Sequence, residues 1–287
     1  MESVSRVYLG LWLAVVLALL IGIVILTARL IAAGRWRRVL MSLGTGLAAL
    51  SAGGLMFYLT YLESVQKFLN EFMNWDIFAK TIEYVVKGLN VTVRLAVVSE
   101  AFILVVGLFI ALLRISRIKT IRTIAAVYID VIRGMPLLLQ IFIVYFGLGF
   151  LGINLSQFTA GVLALTICYA AYEAEIFRAG IESIHKGQME AARSLGMGYL
   201  KAMRYIVLPQ AVRNVIPPLS NEFIALLKDT ALVATIGLAE TFFRGREMMG
   251  RYANVTPLMG AALCYLVITL PLMRLVQYMT RRLSLGD

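Results

Sequence analysis

Charge is the first scarcity. Only 15% of the 287 residues are Asp, Glu, Lys or Arg, while 61% are hydrophobic and mean hydropathy is +0.85. Soluble domains carry about 25% charged residues and about 45–50% apolar ones, so a water-soluble globule is excluded. Cysteine and histidine are scarcer still, amounting to Cys168, Cys264 and His185. Both cysteines stand inside apolar runs far apart in the chain. That excludes a disulfide framework and suits packing. His185 has no cysteine or acidic cluster near it, so no metal site and no catalytic centre is expected. No G-x-x-x-x-G-K-[ST] segment occurs, and no strand–loop–helix context would hold one. Tandem repeats and low-complexity tracts are also missing.

Long apolar runs are what the chain has instead. Val7–Ala28 and Val39–Leu62 are 22 and 24 residues without a charge. At the α-helical rise they reach about 33–36 Å, enough to cross a hydrocarbon core of about 30 Å. Val7–Ala28 is too long for a signal-peptide core and has no small-residue cleavage site after it, so it reads as a span. A third span is expected from about Leu89 to Leu113. Residues 134–172 lack charge throughout, too long for one span, and "GLGFLGINLSQ" supplies turn residues to fold them into two. Leu219–Leu238 and Tyr252–Met273 complete the set. The runs are continuous rather than alternating, and only helices or closed barrels satisfy backbone groups in lipid. The fold class is therefore an all-α integral membrane protein with about seven transmembrane helices. Between Glu63 and Asp76 the composition turns mixed-charge, and Trp75, Phe78, Ile82, Val85 and Val86 recur at helical spacing. They read as a short interfacial helix.

The net charge of +11 points to no nucleic-acid partner, because the basic residues lie between spans, as the positive-inside rule requires. Arg35, Arg37, Arg38, Arg114, Arg117, Lys119, Arg122, Arg178, Arg193, Arg213, Arg281 and Arg282 all fall on one side of a seven-span chain. This puts the N-terminus outside and the C-terminus in the cytoplasm. Arg244, Arg246 and Arg251 conflict with that assignment, since they fall outside.

One polar connection is far more organised than a linker. "GQMEAARSLGMGYLKAMRYIVLPQA", from Gly187 to Ala211, joins two helical stretches at a corner of Gly196 and Gly198, with Pro209 opening the return to the membrane. Its spacing is Glu190-Ala191-Ala192, three residues, Gly196, nine residues, Ile206, one residue, Leu208-Pro209. It resembles at every fixed position the "EAA" loop of ABC-importer permeases. "RGMPLLLQIFIVYFGL", "AAYEAEIFRAGIESI", "LPQAVRNVIPPLSNEFIALLKDTAL" and "IGLAE" are similar to the polar amino-acid subfamily, which takes up histidine, glutamine or arginine. The resemblance covers roughly 75–280. It implies a type I permease core of five helices with a cytoplasmic coupling loop at 178–213, and it leaves 1–66 as a two-helix N-terminal membrane extension.

The resemblance also implies partners. These are a second permease chain, identical or related, two ATPase subunits that hold ATP and Mg, an external solute-binding protein, and an amino-acid substrate. This chain would bind no cofactor, would perform no covalent chemistry, and would sit in a prokaryotic inner membrane working by alternating access. Glu190, Ala191, Ala192, Gly196, Ile206, Leu208 and Pro209 would couple to the ATPase. Glu190 otherwise reads as a solvated surface residue, and Arg193 and Arg204 either meet acidic ATPase groups or simply obey the positive-inside rule. Glu100 lies mid-span, where a charge costs about 2.5–3.5 kcal/mol. It either meets a substrate ammonium or bonds a neighbouring helix. Glu222, Lys228 and Asp229 follow Pro217-Pro218 and would gate or line the path. Two other readings stay open, a permease for an opine, methionine or an osmolyte, and a gradient-coupled carrier working alone.

Overall fold

The computed structural model describes Gly22, residues 36–61 and residues 63–284. The expected span Val7–Ala28 lies outside the described residues. The chain divides into two units, 1–73 and 74–287. In the first, α1 (Trp36–Tyr61) covers the second expected span, and α2 (Glu63–Phe72) follows it. Met41 and Leu47 on α1 are exposed, as a lipid-facing helix requires. On α2, Phe68 and Phe72 stack at 4.4 Å, the contact expected of aromatics four residues apart.

The second unit is built on α3 (Trp75–Arg114), 40 residues long. At 1.5 Å per residue it extends about 60 Å, twice the hydrocarbon core. The short interfacial helix expected around Trp75 is therefore the first turns of α3 rather than a separate element. The start is set by Asn74, whose side chain accepts the Ile77 amide at 3.1 Å, and no proline interrupts the next 40 positions. Thr92, Leu95, Ala96, Ser99, Ile103, Gly107, Ile110 and Ala111 form its buried stripe. They recur every three or four residues, one face of a helix.

That stripe packs on α6 (Gln157–Glu182), the principal helix pair of the unit. Ala160, Ala164, Ala170, Ala171 and Ala174 of α6 are fully buried. Small side chains let backbones approach closely where lipid supplies no hydrophobic drive between helices. Ser156 caps α6 by accepting the Thr159 amide at 3.1 Å. The uncharged run 134–172 is interrupted at 151–156, where the expected turn residues lie, but its first half is too short to span a membrane alone. Leading into α6, α4 (Lys119–Arg133) and α5 (Leu137–Phe142, extended by a π-turn to Phe150) meet at a bend of 103°. Buried Gln140 bridges the bend, its Nε2 donating to the carbonyls of Ile132 at 2.9 Å and Met135 at 3.0 Å. It thereby satisfies acceptors that the break at Pro136 frees.

After α6 the chain forms α7 (Lys186–Ser194), then α8 (Tyr199–Ala202), which runs through a π-turn into α9 (Leu208–Asp229). A 3₁₀ segment, Thr230–Ile236, leads to α10 (Thr241–Tyr252) and α11 (Thr256–Ser284). Glu240 anchors this end. It is fully buried, and it accepts from the amides of Phe242 at 2.9 Å and Phe243 at 2.6 Å, from Tyr265 Oη at 2.6 Å and from Thr92 Oγ1 at 3.2 Å. One carboxylate thus caps α10 and ties it to α3 and α11. The approach requires Gly88 on α3, where an added Cβ would stand 2.6 Å from the Thr241 backbone.

Among the described residues three helices, α3, α6 and α11, are long and apolar enough to span a membrane, and counting the bent α4–α5 pair makes four.

Candidate functional site

Two arms and a glycine make the elbow. α7 ends in a hydrogen-bonded cap in which the Gly196 amide donates to Arg193 O at 2.9 Å and the Met197 amide donates to Ala192 O at 3.1 Å. Gly196 has φ +80°, the left-handed conformation such a cap needs and glycine adopts without strain. The fixed glycine of the loop is thus explained by backbone geometry. Ala192 on α7 and Ala202 on α8 are buried, so the two arms close on small residues. Glu190, Ala191, Leu208 and Pro209 are exposed and Ile206 is half-buried. At the tip Leu195 is 84% exposed and Leu200 81%. Both large apolar side chains stand outward on the corner that the cap holds.

The end of α6 that leads into the elbow is braced by ion pairs within the helix and to α3. Arg178 grips Glu175 with two nitrogens at 3.1 and 2.7 Å and Glu182 at 2.6 Å. Arg114, the last residue of α3, lies 3.7 Å from Glu175. A planar guanidinium held bidentately transmits orientation as well as charge.

Within the bundle, a cavity of about 450 Å³ opens at the bend between α4 and α5 and against α6 and α9. Arg133 contributes its guanidinium, 5.0 Å from the centre of the Tyr172 ring. Glu222 and Asp229 of α9 line the cavity as well. They are seven residues apart on α9 and so share one face. Tyr169 Oη donates to Asp229 Oδ2 at 2.7 Å, which fixes that carboxylate. The cavity therefore offers a planar cation, two carboxylates and an aromatic face. That set can hold a small molecule bearing both a carboxylate and an ammonium or guanidinium group.

Lys228 and Glu100 stand elsewhere. Lys228 is exposed and does not line this cavity, since adjacent helical residues point about 100° apart. Glu100 borders a separate, mostly apolar cavity of about 300 Å³ between α3, α9 and α11. Its electrostatic neighbour is Glu173 of α6. Glu173 is fully buried, and among the described residues neither of its carboxylate oxygens has a hydrogen-bond partner. The reading of Glu100 as bonded to a neighbouring helix led to no named residue, and Glu173 is the one beside it. Sequence reasoning also missed Arg133 and Tyr172. The available signals were "RGMP" at the start of the uncharged run and a carboxylate set among alanines in "AAYEAEIF".

Comparison with known proteins gives consistent matches. The family model described as "Binding-protein-dependent transport system inner membrane component" matches residues 103–285. The arginine transport system permease protein ArtQ of Bacillus subtilis is 41% identical over 219 residues, 75% of this chain and 100% of that one. The probable glutamine ABC transporter permease protein GlnM of the same organism is 39% identical, over 74% of this chain and 99% of its own. Among solved structures, an amino acid ABC transporter crystallised with histidines aligns with TM-score 0.67 and 43% identity, covering 71% of this chain and 96% of that chain. The inward-facing MetNI methionine ABC transporter aligns with TM-score 0.53 at 17% identity, over 74% and 97% of the two chains, a likeness of fold alone.

Proposed function

The chain belongs to the binding-protein-dependent transport system inner membrane components, the permease subunits of ABC importers, and from that premise we propose that its solute is a polar or charged amino acid. The observation that carries the reading is the cavity of Arg133, Tyr172, Glu222 and Asp229. An α-amino acid is the smallest common solute that needs a cation and a carboxylate at once. Arg133 takes the α-carboxylate as a fork, and Glu222 and Asp229 take the ammonium or a cationic side chain. The names of the relatives, arginine and glutamine permeases, support the same class.

Transport then works by alternating access. An external solute-binding protein delivers the amino acid, and two ATPase subunits, which hold ATP and Mg, dock at Leu195, Leu200 and the Glu190–Ala192 surface. The elbow passes their motion to α6 and α9, and the Arg178–Glu175–Arg114 cluster carries it on to α3. A second permease chain completes the path. Lys228 supports this, since a cation exposed on a helix at membrane depth is costly unless water or a partner receives it. The finer topology we adopt is seven spans, five in the core and two in the extension 1–66, with the N-terminus outside the inner membrane of a prokaryote and the C-terminus within. The chain itself binds no cofactor.

The test is uptake by the complete complex in liposomes, with Arg133→Gln and Arg133→Lys beside wild type. Hydrogen bonds to a charged group are worth about 1.5–3 kcal/mol, so Arg133→Gln is expected to weaken apparent solute affinity about 10- to 150-fold. Lysine restores charge without the fork and recovers only part of the loss. Recovery of the ATPase with the complex stays unchanged. Wild-type affinity in Arg133→Gln would overturn the assignment.

A further inference from the structure

A second cavity, of about 630 Å³, lies further along the same pair of helices, where α6 and α9 meet the root of the elbow. Its chemistry differs from the first. Ser183, His185, Gln188, Arg213, Asn214 and Pro217 are among its lining residues, and no carboxylate lines it. Arg213 makes no ion pair with any described residue. Asn214 Nδ2 donates to Ser183 Oγ at 2.9 Å, which draws α9 to the end of α6. Acceptors are present as well. Pro217 and Pro218 sit inside α9 and have no amide hydrogen, so the carbonyls of Arg213 and Asn214 lack their ordinary helical donors. One wall thus offers a free guanidinium beside two carbonyls without i+4 donors.

The two cavities are consecutive on their helices. The first uses Tyr169 and Tyr172 of α6 and Glu222 and Asp229 of α9, and the second uses Ser183 and Arg213. From Glu222 to Arg213 the helical rise is about 14 Å. Pro218, which lines the second cavity, lies four residues before Glu222, and Ser183 lies eleven after Tyr172, so each helix turns nearly one face to both cavities, and a molecule leaving the first cavity between these faces reaches the second. We infer that the second cavity is an exit station for the transported amino acid, with Arg213 receiving the α-carboxylate and the carbonyls freed by Pro217 and Pro218 receiving the ammonium. This rests on the amino-acid reading of the first cavity. The station also touches the coupling machinery, because His185 caps α7 and accepts the Gly187 amide at 3.1 Å, and Gln188 lies in the first turn of that arm. An occupied station bridges α9 to the elbow. Amino acid accumulated in the cytoplasm refills it and slows turnover.

The experiment uses the complete complex in proteoliposomes with the ATPase facing the bath and the binding protein plus L-arginine or L-glutamine in the lumen. ATP hydrolysis is measured while the same amino acid is raised in the bath. Hydrogen exchange of 183–190 and 210–218 is followed in parallel. Bath amino acid is expected to slow hydrolysis and protect both segments. Arg213→Gln is expected to require at least about tenfold more amino acid for the same fractional slowing, and Arg213→Lys to fall between. Hydrolysis that ignores bath amino acid, without protection of either segment, overturns the station, as does an unaltered response in Arg213→Gln. Failure of the amino-acid reading looks different, since lumenal amino acid would then not stimulate wild-type hydrolysis at all. Exchange protection from the bath still decides the station in that event.

Discussion

Gly196→Ala isolates the backbone geometry of the elbow from every other contact. The residue has φ +80°, and a Cβ built on it meets nothing within 4 Å. No steric clash with a neighbour contributes, so the whole cost is the left-handed conformation, about 1–2 kcal/mol for an L-residue. This corresponds to roughly a 5- to 30-fold loss in the population of the closed cap. Asparagine tolerates the same region and should lose less. The assay is amide hydrogen exchange of the protein in nanodiscs, read at positions 196 and 197, whose amides donate to Arg193 O and Ala192 O. Both should exchange about 5- to 30-fold faster in Gly196→Ala, with Gly196→Asn between that variant and wild type. Hydrolysis in the assembled complex should uncouple in the same order. Wild-type exchange in Gly196→Ala, or equal rates for alanine and asparagine, would refute the reasoning.

Three further outcomes are expected. Leu195→Asp combined with Leu200→Asp should abolish recovery of the ATPase on co-purification without changing the melting temperature of the isolated chain, because both side chains are exposed; retained ATPase would remove the docking surface. Gly88→Val should destabilise the fold, since its Cβ would stand 2.6 Å from the Thr241 backbone and overpacking typically costs about 1–3 kcal/mol. A thermal melt at wild-type temperature would show that α10 is not held there. Glu240→Gln keeps the size but replaces one of the acceptor oxygens with a donor, facing four hydrogen-bond donors. It should cost about 1–3 kcal/mol, read as faster exchange at the amides of Phe242 and Phe243, and protection equal to wild type would count against the cap.

Some of this was legible along the chain because the interactions are local or periodic. The buried stripe of α3 repeats at helical spacing and depends on no distant residue. The elbow was readable from fixed intervals between small residues, a glycine and a proline, and the glycine turns out to close a cap with residues three and four positions before it. Less legible was where helices end. A mixed-charge stretch before Leu89 suggested a separate interfacial helix, yet α3 runs through it from its Asn74 cap. Charge marks where lipid stops, while hydrogen bonding decides where a helix stops.

By itself the sequence determined an α-helical membrane chain, its glycine corner, and which residues are costly to bury, for each follows from hydropathy, turn chemistry and short-range spacing. Only the tertiary structure decided which of those costly residues share a space. Arg133 and Asp229 are nearly a hundred positions apart and meet because α4 and α5 bend by 103° at the mouth of the α6–α9 groove. Lys228, adjacent to Asp229, is turned away by the helical rotation between neighbours. Glu100 comes to lie beside Glu173 because the small residues of α6 let it lie close against α3. Proximity in a bundle is set by crossing helices, and a linear pattern carries the face of each helix but not the face it will meet.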